Sequence, residues 1–316
     1  MPVESGPVAP GMTIGVALPL HHEIDGTVRL AREAHEAGLR SAWFGQTFAY
    51  DSPTLAAIVG REVPGLHVGT SAIPVFGRHP LLISSQAQTA QAATRGRYHL
   101  GLALGTKYLT ETGFGIPHER PIRLLREFLT ALRQLVETGS ADFHGELLTA
   151  TTPLPGAVPG AEPPVPLLVA AMAPQALRVS GELADGILPY LAGPRALVEH
   201  IVPAVTAAAE AAGRPAPRIV AFVPGVVTAD AEGVREKATE ALAFYERFPS
   251  YQRVIGLSGG TRAVDQAVIG DEEAVAAEVA RYREAGATEV VFTTTDLGTE
   301  ADRRRTWKLL GELANG

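Results

Sequence analysis

The chain has 316 residues, 46% of them hydrophobic, with 34 acidic against 27 basic side chains, a formal net charge of −7 and no cysteine. The missing thiols exclude disulfides, thiolate metal sites and cysteine nucleophiles and fit a reducing cytoplasm, while a pI near 5.7 argues against a nucleic-acid surface. No apolar run reaches the roughly 20 residues of a bilayer span, and the start lacks the basic-then-apolar layout of a signal peptide, so the expectation is a cytoplasmic protein without a membrane partner.

Residues 1–12 are proline-rich with nothing to bury, and read as a flexible leader. Residues 13–18 (TIGVAL) read as a first strand, 19–25 (PLHHEID) as its exit loop, and 27–37 as an amphipathic helix stopped by Gly38. A second strand, 41–44 (SAWF), leads into Gly45-Gln46-Thr47-Phe48-Ala49-Tyr50, and Pro53 begins a short alanine-rich helix that Pro64-Gly65 ends. Residues 66–73 are β-branched and small without helical spacing, as in a strand buried on both faces. Pro80 starts a helix that Arg95-Gly96 closes, and 98–104 supply the next buried strand. Right-handed crossover then places 74–80 and 105–108 at the same C-terminal edge of neighbouring parallel strands, the edge where ligands bind.

Beyond Thr106 the pattern lapses into a loop until Pro117, and a helix follows over about 120–137. Residues 139–165 read as a proline-rich insertion over the barrel mouth or side, with a small hairpin around Phe143-His144-Gly145-Glu146-Leu147. Strands at 166–171, 186–189, 218–227 and 288–293 alternate with helices at 174–183, 195–212, 231–247, 271–285 and 299–313. Eight strands alternating with helices predict an α/β fold, a (β/α)8 TIM barrel forming one domain over 13–316, with insertion segments near the C-terminal mouth. An open doubly wound sheet stays open as the alternative, because periodicity cannot tell a closed sheet from an open one. Arg303-Arg304-Arg305 reads as a solvated face or an oligomer contact, and the expected assembly is a homodimer.

The G-x-G-x-x-G fingerprint, the Walker A sequence and the G-x-S-x-G elbow are all missing, which argues against nicotinamide, nucleotide and hydrolase sites. The nine histidines are scattered and no metal is expected. Leu104-Gly105-Thr106-Lys107 and Ala170-Ala171-Met172-Ala173-Pro174 carry small residues at strand ends. They read either as backbone cradles for a phosphate or simply as tight turns.

Three blocks carry a resemblance: RLAREAHEAGLRSAWFGQ, TSAIPVFGRHPLLISSQAQTAQAATRGRYHLGLALG and PLLVAAMAPQALRVSGELADGIL. Together they resemble the bacterial luciferase-like monooxygenase superfamily, in particular the actinobacterial branch that uses the deazaflavin coenzyme F420 rather than FMN. The resemblance implies a (β/α)8 barrel and a non-proline cis peptide at Ser71-Ala72, against the back of the deazaflavin ring. It implies cofactor contacts at Gly105, Thr106, Ala171, Met172 and Ala173, with Lys107 reaching the anionic tail or standing solvated.

At the end of the second strand many F420-using relatives have an acidic residue and a histidine, where this chain has Gly45-Gln46. Glutamine can hold a carbonyl or an imine but cannot exchange a proton at neutral pH. Candidate catalytic side chains are therefore Gln46, His21 and His79, each histidine weighed against an ordinary surface role. The expected substrate pocket holds Leu20, Tyr50, Phe76 and Tyr190, with the proline-rich insertion as a partial lid. The implied function is F420-dependent hydride transfer that reduces an activated C=C, C=N or C=O bond. The alternatives are an FMN-dependent monooxygenase of the same superfamily and a non-catalytic F420-binding barrel.

Overall fold

The structure, a computed structural model, describes residues 12–315. Except for Met12, the expected leader lies outside the described residues. Eight parallel strands form a closed barrel: β1 (Thr13–Ala17), β2 (Ser41–Phe44), β3 (His67–Thr70), β4 (Tyr98–Ala103), β5 (Leu167–Ala170), β6 (Gly186–Ile187), β7 (Arg218–Val227) and β8 (Glu289–Thr293). Each pairs with its neighbour in sequence, and β8 closes the ring by pairing Glu289 with Thr13 of β1. The open-sheet alternative is thereby removed.

Strand alternation divides the core in two. Trp43 points into the barrel, where it meets Phe222 edge to face with ring centroids 5.5 Å apart, and packs with Leu168, Leu188, Val220 and Val291. Its neighbour Phe44 points outward into the layer between sheet and helices, as the two-residue period requires. At the N-terminal end the barrel is plugged by a polar group instead. There the buried Glu289 carboxylate accepts from Ser41 Oγ at 2.5 Å, Trp43 Nε1 at 3.0 Å and Arg218 at 2.9 Å.

Three stretches depart from the sequence reading. The third strand is not continuous over 66–73: it breaks after Thr70, the Ser71–Ala72 peptide is cis, and Ile73–Pro74 then pairs with the end of β4. The stretch after Thr106 is a helix, Lys107–Phe114, closed by Gly115 at φ 65°. Only Thr110 of it is buried, so it carries no apolar stripe for periodicity to register. The helix over 231–247 ends at Leu242, and a 3₁₀ turn, Tyr245–Arg247, and a further helix, Pro249–Leu257, follow it.

Of the two places expected for the proline-rich segment, mouth or side, it takes the side, so it does not serve as the partial lid. Its hairpin, Asp142–His144 with Thr149–Thr151, is fastened to the outer flank by Glu127, whose carboxylate accepts from the backbone N–H groups of Glu146, Leu147 and Leu148. Gln88 holds the following turn by donating to Gly156 and accepting from Val158 N–H. Among the described residues no helix is long and apolar enough to cross a membrane, and no group of three potential metal ligands occurs.

Candidate active site

The C-terminal ends of all eight strands converge on one cavity of about 490 Å³. One side of its wall is built from small residues: Ala17 of β1, Gly45 after β2, Ser71 and Ala72 after β3, Ala103 of β4 and Ala170 of β5. Four aromatic residues line it from the β6–β7 side, with Tyr190 just beyond β6, Phe222 on β7, and Tyr245 and Tyr251 from the segment after Leu242. A smooth wall facing a ring-lined wall is a slot shaped for a flat, mainly apolar guest. Asp296 is the charged side chain of the lining, and it is exposed at the rim.

The roof is a cluster of tyrosines. Tyr245 and Tyr251 meet the Tyr190 ring edge to face, with centroids 5.0 and 6.1 Å away, and stand 5.0 Å from each other. Burial raises the Tyr190 phenol well above its ordinary pKa, and the neighbouring Tyr245 phenol adds to this. Burial raises Tyr245 and Tyr251 as well, so all three stay protonated at neutral pH. Beside them the hydroxyl of Thr293 is fully buried, and its nearness to the Tyr190 phenol offsets part of the rise in that phenol's pKa.

A second cavity, of about 640 Å³, adjoins the first across Phe244 and Tyr245, consecutive residues that line one each. Gly105 takes φ 72°, a left-handed conformation that glycine adopts without a Cβ penalty, and this turn delivers Thr106 as a helix cap. The Thr106 hydroxyl accepts from Leu109 N–H at 3.2 Å. Lys107 and Arg247 bring two positive charges to the lining and Glu111 one negative charge. Lys107 is only loosely engaged, 3.9 Å from Glu111 and largely exposed. The balance of charge in the lining is positive.

The expected site residues divide sharply. Leu20, Ser71, Ala72 and Tyr190 line the mouth cavity, and Gly105, Thr106 and Lys107 the flanking one. Ala170 lines the mouth, whereas Ala171 is buried behind it, Met172 packs on the core, and Ala173 precedes the helix Pro174–Leu183. Tyr50 and Phe76 are in neither lining: Tyr50 donates to the His22 carbonyl at 2.9 Å, and Phe76 stacks on His118 with centroids 4.6 Å apart.

Nor does any of the three candidate catalytic side chains line either cavity. Gln46 donates to the carbonyls of Thr47 and Tyr50 and accepts from Ser52 N–H and Ser52 Oγ, which uses its whole hydrogen-bonding capacity. His79 caps the helix Pro80–Ala93: its Nδ1 accepts from Leu81 N–H at 3.3 Å, leaving Nε2 to donate to the Thr149 carbonyl at 2.9 Å. His21 is exposed against His22.

Missed by the sequence reading were Phe222, Thr293, Asp296 and the roof. A signal for the roof did exist: Phe244, Tyr245, Phe248 and Tyr251 crowd one short stretch of a chain with only 6% aromatic residues.

Residues 12–289 match the family described as luciferase-like monooxygenase. An uncharacterised protein of Mycobacterium tuberculosis is 28% identical over 258 residues, covering 75% of each chain. The F420-dependent hydroxymycolic acid dehydrogenase of the same organism is 31% identical over 224 residues, 63% of this chain and 59% of that one. Among solved structures, the coenzyme F420-dependent tetrahydromethanopterin reductase from Methanopyrus kandleri superposes with a TM-score of 0.79 at 20% identity. That match covers 96% of this chain and 99% of that one, a likeness of fold.

Proposed function

The chain belongs to the luciferase-like monooxygenase family, and on that premise we propose that it is an F420-dependent oxidoreductase reducing an activated C=C, C=N or C=O bond of a small organic substrate. One observation carries this reading: two adjoining cavities match the two halves of the coenzyme, a flat slot for the ring and a cationic flank for the phosphate-bearing tail.

In this reading Ser71 and Ala72, with Gly45, Ala103 and Ala170, form the wall against which the ring lies. Gly105, Thr106 and Lys107, together with Arg247 and His118, hold the tail. The coenzyme, when bound, supplies or accepts a hydride at its C5 carbon. Tyr245 and Tyr251 close the slot from above and keep water from the reacting face. No proton transfer is assigned to Gln46, His21 or His79, whose places in the fold are structural or exposed.

Titration of the purified protein with F420 and with FMN tests the proposal. F420 fluorescence should be quenched at micromolar protein, and FMN should bind far more weakly. The reverse order would make the protein an FMN-dependent monooxygenase, and tight F420 binding without turnover of an enone, ketone and imine panel would make it a carrier.

A further inference from the structure

Reduction of a C=O or conjugated C=C bond needs a proton as well as a hydride, and the side chains expected to supply it line neither cavity. Within the mouth cavity the groups carrying an acidic proton are the tyrosines of the roof, since Asp296 stands at the rim in contact with solvent. Tyr190 is the one built into the barrel. Its backbone bridges to Phe222 of β7, the adjacent Pro189 carbonyl accepts from Phe222 N–H at 2.8 Å, and its ring is held edge to face by two other tyrosines. The next residue, Leu191, has φ 55°, a left-handed conformation rare outside glycine that persists where surrounding structure enforces it. A phenol fixed in this way is preorganised as a donor, and burial keeps it protonated until an oxyanion develops beside it.

We propose that Tyr190 is the catalytic proton donor of this site, hydrogen-bonded through its phenol to the carbonyl oxygen of a bound enone or ketone. The inference rests on the F420 reading above. In an enone the β-carbon takes up a hydride with both its electrons from the reduced coenzyme, and the C=C electron pair moves to form the enol C=C. The C=O π pair passes to oxygen, which takes the phenol proton, and the enol then tautomerises to the saturated ketone. The substrate is reduced by two electrons and the coenzyme is oxidised. The Tyr190 phenolate recovers its proton from water past Tyr245, the tyrosine beside the junction of the two cavities.

The test uses F420-loaded wild type, Tyr190→Phe and Tyr245→Phe with 2-cyclohexen-1-one as probe. All three should bind F420 alike. The carbonyl stretch of the bound probe, read by infrared difference spectroscopy, should move to lower wavenumber in wild type and Tyr245→Phe but not in Tyr190→Phe. In Tyr190→Phe kcat should drop about 100-fold with KM little changed. F420 binding by the wild type with no shift of the stretch, or a Tyr190→Phe protein that keeps the shift or the rate, overturns the inference while leaving the coenzyme assignment standing. A wild type that does not bind F420 overturns both. Should Tyr190→Phe fail to fold, 3-fluorotyrosine at position 190, a stronger acid of nearly the same shape, must move the stretch further down; an unchanged stretch overturns the inference.

Discussion

Arg218 donates to Nδ1 of His99 across 3.2 Å, at the end of the barrel opposite the mouth. A guanidinium has no acceptor, so His99 must accept on Nδ1 and carry its proton on Nε2, which then donates to Nδ1 of His67 at 3.2 Å. One salt bridge, Arg218 to Glu289, thus sets the tautomers of two stacked imidazoles in turn. Burial first, and then Arg218 and His67, hold His99 well below the ordinary imidazole pKa. Partial burial followed by Arg97 lowers His67 as well.

Acid should therefore loosen the barrel from its base. Below about pH 6.5 the unfolded chain binds protons at these histidines that the folded chain refuses, so stability falls with pH through that range. The slope is at most about 1.4 kcal/mol per pH unit for the buried His99. Urea midpoints measured between pH 7.5 and 5.5 should decline in the wild type and decline less in His99→Gln. A flat wild-type series would show that the network tolerates the proton.

Gly69 on β3 is where the barrel interior makes room for Trp43. A methyl group added at Gly69 would overlap the indole ring, and the ring has nowhere to go: it is fully buried, and its Nε1 donates to Ser41 and Glu289. Gly69→Ala should cost about 1–3 kcal/mol, the usual penalty of overpacking a filled core, and should be read as a lowered thermal midpoint.

The barrel itself was largely legible in the sequence. β7 was located to both ends because a mainly apolar stretch follows Arg218; Leu20 and Tyr190, expected in the pocket, and Ser71 and Ala72, which the family resemblance implied, all line the mouth cavity. The roof was not, since Tyr245 and Tyr251 cover strands distant in the chain, and nothing local says where an aromatic stretch will fold back. Gln46 illustrates a different gap. Whether a polar side chain at a strand end faces a ligand or its own loop depends on a partner such as Ser52, and spacing alone does not choose.

That engagement makes Gln46 a loop clasp. Gln46→Ala leaves the Ser52 N–H at the start of the helix Ser52–Glu62, and two carbonyls, without their partner. It should destabilise the fold by about 1–3 kcal/mol. The pH dependence of turnover should stay as in the wild type. A change in that profile without loss of stability would return Gln46 to the reacting centre.

Lys107 and Arg247 both line the flanking cavity, and the Glu111 carboxylate, 3.9 Å from Lys107, offsets only one of the two charges, which leaves positive charge for an anionic tail. Lys107→Ala and Arg247→Ala should each weaken F420 binding about tenfold, the loss of one charge-assisted hydrogen bond. Hydride transfer at saturating coenzyme should be unaltered, because neither side chain lines the mouth cavity. The wild-type affinity should fall as salt is raised, and that dependence should flatten in each variant, since exposed charges are screened within about 8–10 Å at such ionic strengths. Fluorescence titrations at low and high salt separate this electrostatic role from a loss of shape, because an affinity that drops equally at both would mean the cavity wall had collapsed.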